Sequence, residues 1–219
     1  AMTSPTESRP SLARLVWTPV GLLVSWMALM WVIEIVDTLF LDERLQLHGL
    51  RPRETEGLDG ILWAPFLHSD FGHIASNTVP FLALGGLVAV RGMRYWGWVT
   101  AITILVGGGA TWLLGGSGLH IGASGVVIGY FGAILGAAVF ERRVRTLGAA
   151  LIALGFYSSL IAGVIPQPQI SWEGHLFGLL AGVLASKWLA EPRVPKGEEP
   201  YTPEPWELDE PWNICLLYT

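Results

Sequence analysis

The feature that most constrains this fold is a succession of apolar segments, each near the length needed to cross a membrane. A spanning helix needs about 20 apolar residues to cross roughly 30 Å of hydrocarbon. The chain is 52% hydrophobic and only 14% charged, whereas soluble domains carry about a quarter charged residues. Because a spanning segment must satisfy its own backbone hydrogen bonds, each segment is predicted to be helical. The sequence therefore predicts an all-α membrane protein with six transmembrane helices, at 15–37, 73–90, 95–115, 124–140, 146–165 and 172–190.

The first segment is interpreted as a retained transmembrane helix. It is longer than the apolar region of a secretory signal peptide and lacks a small-x-small cleavage pattern at its end. The single cysteine, Cys215, excludes an intrachain disulfide framework and a cysteine-based zinc cluster. The sequence has no basic patch of the kind that would indicate a nucleic-acid partner. Its apolar composition indicates instead that the chain is surrounded by the lipid bilayer.

The distribution of Lys and Arg predicts the orientation of the helices. With the N terminus inside the cell, ten of the 13 basic residues face the cytoplasm: Arg9, Arg14, Arg91, Arg94, Arg142, Arg143, Arg145, Lys187, Arg193 and Lys196. The loops near 116–123 and 166–171 carry neither Lys nor Arg. We therefore predict an N-in, C-in bundle in the plasma (inner) membrane.

This orientation divides the chain into three parts. Residues 1–14 form a cytoplasmic segment and residues 15–190 the six-helix membrane domain. Residues 191–219 form an acidic, Pro-rich cytoplasmic tail that is expected to be disordered. The outer loop, 38–72, is long for a connection and rich in apolar residues, so it is expected to be structured at the outer interface.

Polar side chains within the spans are functional candidates by default, and they occur here at one depth. His73 lies 18 residues before Arg91, and Ser124 lies 17 residues before Glu141. His175 lies 16 to 18 residues before Glu191 and Arg193, which follow its own helix. At 1.5 Å per residue, all three lie about 24–27 Å from the cytoplasmic boundary.

These residue types are suited to acyl transfer. A serine hydroxyl at Ser124 needs a base to become a nucleophile, and His175 can take and return that proton. His73 and Asn77 are spaced i, i+4 on one helix face, and both can donate hydrogen bonds to an oxyanion. Ser124 opens its helix, so nearby backbone N–H groups are free as well. Glu173, two residues from the histidine, lies off its face, which favours a Ser–His dyad over a triad.

Three motifs carry a family resemblance across the six-helix core. They are HSDFGHIASN at 68–77, GASG at 122–125 and GHLFGLLAG at 174–182. The sequence resembles the rhomboid family of intramembrane serine proteases. The resemblance implies cleavage of membrane-anchored proteins near a transmembrane boundary, with a small residue preferred before the scissile bond and with no metal or cofactor.

The resemblance also implies roles for individual residues. Ser124 would be the nucleophile and His175 the general base, while His73, Asn77 and the Ser124 backbone N–H would form the oxyanion hole. The supporting residues would be a histidine beside the second helix, two glycines at the serine turn and two glycines packing the sixth helix on the fourth: His68, Gly122, Gly125, Gly178 and Gly182. Many members have an aromatic residue beneath the catalytic histidine, where this chain has Ile128, with Tyr130 nearby but facing elsewhere. The first loop has GLRPR at 49–53 in place of the Trp-Arg pair of some members.

Three other readings compete with the protease. A rhomboid-like pseudoprotease, acting as a membrane-protein binding or chaperone module, would lack the serine or the histidine, and both are present. A metal or haem site would use His68, His73 and His175, but the chain has no HExxH motif. A small transporter would be expected to show an inverted repeat, and none is found. His120, in the loop before Ser124, is expected to serve an interface or a gate.

Overall fold

The structure is a computed structural model that describes residues 12–167 and 170–190. The expected disordered tail and residues 1–11 of the N-terminal segment lie outside the described residues. Every regular element in the described ranges is helical, and an isolated antiparallel bridge joins Leu50 to His120. The prediction of an all-α membrane protein is confirmed for this part of the chain.

The helices follow one another through short connections, except that a long connection separates the first spanning helix from the second. Helix α1 spans Leu12–Phe40 and leads into three 3₁₀ turns and a short helix, α2. The turns are Arg44–His48, Thr55–Gly57 and Ala64–Phe66, and α2 is Gly60–Trp63. The remaining helices are α3 Phe71–Ala89, α4 Met93–Ile102, α5 Gly108–Leu114, α6 Ser124–Glu141, α7 Val144–Tyr157 and α8 Trp172–Trp188. A π turn, Thr103–Gly107, joins α4 to α5, and a 3₁₀ turn, Ser158–Val164, extends α7.

Five helical stretches in the described residues are long and apolar enough to cross a membrane. They are Val20–Phe40, Phe71–Ala89, Met93–Leu114, Ser124–Glu141 and Val144–Val164. The sixth predicted span corresponds to α8, which has 17 residues and carries Glu173 and Lys187 near its ends. The protein is therefore a multi-pass membrane protein, with five clear spans and one shorter helix in the part of the chain that the structure describes.

Two boundaries differ from the predicted outer loop of 38–72. Helix α1 continues to Phe40, and Asp37 near its end accepts a hydrogen bond from the Leu45 backbone N–H at 2.8 Å. Helix α3 begins at Phe71 because Asp70 caps it, its carboxylate accepting from the His73 N–H at 2.9 Å. The connection is structured, as expected: Leu50 and Leu67 in it are buried.

Helix α6 lies at the centre of the bundle, with 72% of its span buried. It packs face to face on α8 through glycines, because there is no room for side chains between the two backbones. A Cβ built on Gly178 would overlap the carbonyl oxygen of Gly125, and one on Gly182 would overlap that of Gly129. This close approach of small residues is typical of helix pairs in membranes.

The end of α6 opposite Ser124 is tied to the end of α3 by a partly buried ion pair. Arg91 follows α3, and its guanidinium binds the carboxylate of Glu141, the last residue of α6. The same guanidinium lies 3.8 Å from the centre of the Tyr95 ring. Basic residues continue along the chain at this end, which separates a charged end of the bundle from the end that holds the serine.

Candidate active site

Ser124 and His175 lie in hydrogen-bond contact across the α6–α8 interface. The distance from the serine Oγ to the histidine Nε2 is 2.7 Å. Ser124 is the first residue of α6, and His175 lies in the first turn of α8. The glycine packing described above brings these two helix ends together, so the contact depends on residues far along both helices.

The second ring nitrogen of His175 faces a backbone carbonyl. Nδ1 lies 2.9 Å from the oxygen of Gly163, in the 3₁₀ turn after α7. A carbonyl can only accept, so Nδ1 carries the proton, and in the neutral ring Nε2 accepts from the Ser124 hydroxyl. Glu173 is turned away and accepts from the Gly116 N–H at 3.0 Å, in keeping with a dyad.

His73 and Asn77 lie in one cavity with this pair. The Ser69 backbone N–H donates to His73 Nδ1 at 3.4 Å, so the neutral ring carries its proton on Nε2. The amide of Asn77 donates one hydrogen to the His73 carbonyl at 3.1 Å and keeps a second one. Both side chains therefore present a donor to the cavity.

Gly122 allows His73 to reach the serine turn. Its φ is +112°, a conformation that favours glycine, and a Cβ there would lie 2.6 Å from His73 Nε2. The Gly122 N–H donates to the Ala64 carbonyl at 2.8 Å, which fixes the turn against the outer connection. The imidazole thus lies directly over the backbone that leads into Ser124.

His68 supports the same turn from beneath. It is 1% exposed, and its Nε2 accepts from the Ala123 N–H at 3.3 Å. Burial, together with the nearby His73, lowers the pKa of His68 to about 4, so the ring is neutral at physiological pH. Its Nδ1 is buried without a hydrogen-bond partner among the described residues.

A second tether joins the loop before α6 to the start of α8. The imidazole of His120 is hydrogen-bonded through Nδ1 to the Ser171 hydroxyl. The backbone of His120 also pairs with Leu50, with N···O distances of 3.0 and 2.9 Å. His120 therefore links three segments around the site, as an interface residue would.

Ser124 and His175 border two cavities. The larger, about 450 Å³, is polar and contains His73 and Asn77, together with Ser69, Ser76 and Ser171. The smaller, about 70 Å³, shares Ser124 and His175 with the larger one and is lined mainly by small residues. Its glycines are Gly60, Gly107, Gly108, Gly122, Gly125, Gly174 and Gly178. This cavity is large enough to hold a few water molecules or one side chain.

The three histidines of the alternative metal site point to different partners. His68 Nε2 faces the Ala123 N–H and His175 Nε2 faces Ser124. Within residues 12–167 and 170–190, no group of three or more His, Cys, Asp or Glu side chains has the arrangement to hold a metal ion. The arrangement favours nucleophilic chemistry over metal chemistry.

Three contributors to the site were missed in the sequence. Gly163 acts through a backbone carbonyl, which leaves no side-chain signal, and Ser171 lies in a loop. Asp70 could have been found, since Ser69–Asp70 directly before an apolar helix is an N-cap pattern. Hydrogen bonds from the His73 N–H and from Ser69 lower the pKa of the Asp70 carboxyl, which keeps this cap charged.

Comparison with known proteins identifies the family of this chain. The family model described as Rhomboid domain matches residues 56–192. An uncharacterized protein of Mycobacterium tuberculosis is 35% identical over 201 residues, covering 87% of this chain and 81% of the relative. An uncharacterized protein of Mycobacterium leprae is 36% identical over 190 residues, covering 82% and 75%. The predicted resemblance is confirmed, and the chain belongs to the rhomboid family.

Proposed function

We propose that this protein is an intramembrane serine endopeptidase that cleaves transmembrane proteins near a membrane boundary. The observation that carries the proposal is the 2.7 Å contact between Ser124 Oγ and His175 Nε2, with the oxyanion candidates in the same cavity. Rhomboid proteins are generally intramembrane serine proteases, which agrees with this chemistry. The proposal includes six helices, N-in and C-in, in the plasma (inner) membrane with the site toward the outside.

The first half of the reaction forms an acyl-enzyme. The Ser124 hydroxyl gives its proton to His175 Nε2 while Oγ bonds to the scissile carbonyl carbon. The C–N bond then breaks, and the His175 imidazolium returns the proton to the leaving amine. In the second half, His175 takes a proton from water while the water oxygen bonds to the ester carbonyl carbon. The bond between that carbon and Ser124 Oγ then breaks, and the His175 imidazolium returns the proton to Oγ.

The oxyanion is stabilised by three donors. These are Nε2–H of His73, the free amide hydrogen of Asn77 and the backbone N–H of Ser124. The backbone N–H at a helix start has no partner within the helix, and the positive end of the helix dipole favours negative charge there. The glycine-lined cavity beside Ser124 supports a substrate with a small side chain next to the scissile bond.

The test is covalent labelling of the purified protein in detergent with a fluorophosphonate probe. We expect labelling of the native chain and at least about a 100-fold loss in Ser124→Ala and His175→Ala, with thermal unfolding unchanged. Ser117→Ala is the matched control, because it removes an exposed serine from the loop before Ser124. This variant should be labelled as fully as the native chain. Cleavage of a transmembrane substrate should follow the same pattern.

A folded native chain that neither labels nor cleaves would overturn the proposal and favour the pseudoprotease. Full labelling of His175→Ala would overturn the dyad while leaving a reactive serine. Cleavage abolished by a chelator, with labelling intact, would contradict the absence of a metal requirement.

A further inference from the structure

Both ring nitrogens of His175 make hydrogen bonds. One partner lies on α6, and the other lies in the turn that extends α7. Nε2 contacts Ser124 on α6 at 2.7 Å, and Nδ1 contacts the Gly163 carbonyl after α7 at 2.9 Å. Among the described residues, no carboxylate contacts the ring. The Gly163 carbonyl therefore occupies the place that an aspartate holds in a catalytic triad.

Only glycine fits at position 163 with the ring in this place. A Cβ there would lie 2.8 Å from His175 Nδ1 and 3.8 Å from Ile128 Cδ1. The first distance is shorter than a van der Waals contact, so the ring would have to move. The backbone of Gly163 does not have a positive φ, so its need for glycine comes from the contact with His175.

The turn that carries this carbonyl is itself fixed by hydrogen bonds. The Ala162 carbonyl accepts from the Ile165 N–H at 3.2 Å and from the Gln167 side-chain amide at 2.8 Å. These bonds hold the peptide next to Gly163. The turn that carries Gly163 is thus held by hydrogen bonds that do not involve His175.

We propose that Gly163 is a positioning residue, whose carbonyl fixes the tautomer and the orientation of His175. This inference rests on the proposed function. Ile128, buried at the base of the site, offers only aliphatic contact and no hydrogen bond. Two hydrogen bonds therefore orient the ring, with Nδ1–H donating to the Gly163 carbonyl and Nε2 accepting from the Ser124 hydroxyl, whose proton it can take.

The test compares two Gly→Ala variants of the α7 region. Gly163→Ala places its methyl group against the ring, whereas Gly155→Ala, on α7, places it in open space. We expect Gly163→Ala to lower the maximal rate of fluorophosphonate labelling by about 10- to 100-fold, with the half-saturating probe concentration unchanged. Gly155→Ala should label like the native chain, and both variants should unfold at the native temperature.

A second measurement needs no variant of Gly163. With ¹⁵N-histidine in the native protein, two-bond ¹H–¹⁵N correlations report which nitrogen of each neutral ring is protonated. The His175 signals are assigned by their loss in His175→Asn. We expect the Nδ1–H tautomer, as donation to a carbonyl requires.

The outcomes separate this inference from the proposed function. If native chain and Ser124→Ala label equally, the proposed function fails. If the native chain labels through Ser124 and Gly163→Ala labels at the rate of Gly155→Ala, only the role of Gly163 fails. An Nε2–H tautomer of His175 also overturns it, and this result decides the case if Gly163→Ala does not fold.

Discussion

At the scale of the residue, Gly122 shows how one backbone position serves the chemistry. It leads into Ser124 with φ +112°, and the space where a side chain would lie is filled by His73 Nε2. Gly118, in the same loop, also has a positive φ, +145°, but a Cβ there would meet nothing within 4 Å. Substitutions at the two glycines can therefore be compared to separate the effect of backbone strain from the effect of displacing His73.

We predict that Gly122→Ala loses catalysis beyond what strain explains. Both Gly118→Ala and Gly122→Ala should lose about 1–3 kcal/mol of folding stability from the unfavourable φ. Only Gly122→Ala should displace His73, and its fluorophosphonate labelling rate should fall by at least about tenfold. Paired thermal unfolding and labelling measure both effects. Equal labelling in the two variants would show that His73 is not needed at this position.

The side chains of the site could be predicted because each carries its chemistry in its own residue type. Ser124, His175, His73 and Asn77 are polar groups in apolar segments, and their shared depth followed from helical rise alone. The Gly163 carbonyl could not be found in this way, since every residue has one. Its importance depends on where α7 ends relative to α8, which is tertiary information.

At the scale of the element, the α6–α8 interface decides whether the dyad forms. Its glycines remove the side chains that would hold the two backbones apart, so small displacements there are transmitted to Ser124 and His175. The family resemblance implied this contact, because it assigned Gly178 and Gly182 to packing of the sixth helix on the fourth. The π turn at 103–107 could not be predicted from the sequence. It lies within a predominantly apolar stretch, Met93–Leu114, and hydropathy does not distinguish a π turn from an α-helical turn there.

We predict that Gly182→Ala is destabilised while the equivalent change in α7 is not. A methyl group at Gly182 would overlap the Gly129 carbonyl, whereas one at Gly148 meets nothing within 4 Å. Overpacking of this kind costs about 1–3 kcal/mol. Gly148→Ala should be neutral or slightly more stable, because alanine favours a helix.

The measurement is the thermal unfolding midpoint of both variants in the same detergent, with labelling of Ser124 recorded alongside. Gly182→Ala should melt at a lower temperature and label more slowly, because the helices separate at the dyad. A native midpoint and native labelling in Gly182→Ala would mean that the interface adjusts without loss.

At the scale of the whole molecule, the bundle has two chemically different ends. Ser124 begins α6 and Glu141 ends it, about 26 Å away at 1.5 Å per residue. The first end carries the polar cavity, and the second carries the Arg91–Glu141 pair and the basic residues that follow. Segment existence and order were predictable from hydropathy. Helix α8, with 17 residues and charges near both ends, is shorter than the five clear spans of the described residues.

This polarity predicts the orientation in the membrane. Lys and Arg favour the cytoplasmic side, so the end beyond Glu141 should face inward and the cavity outward. In a Cys215→Ser background, single cysteines at Ser117 and Val144 probe the two ends, since both positions are exposed. A membrane-impermeant maleimide should label Ser117→Cys in intact cells and Val144→Cys only after permeabilisation.

The opposite pattern would place the cavity on the cytoplasmic side and require substrates to be cleaved near their inner boundary. Labelling of both positions in intact cells would indicate a leaky preparation, which a cytoplasmic marker protein controls for.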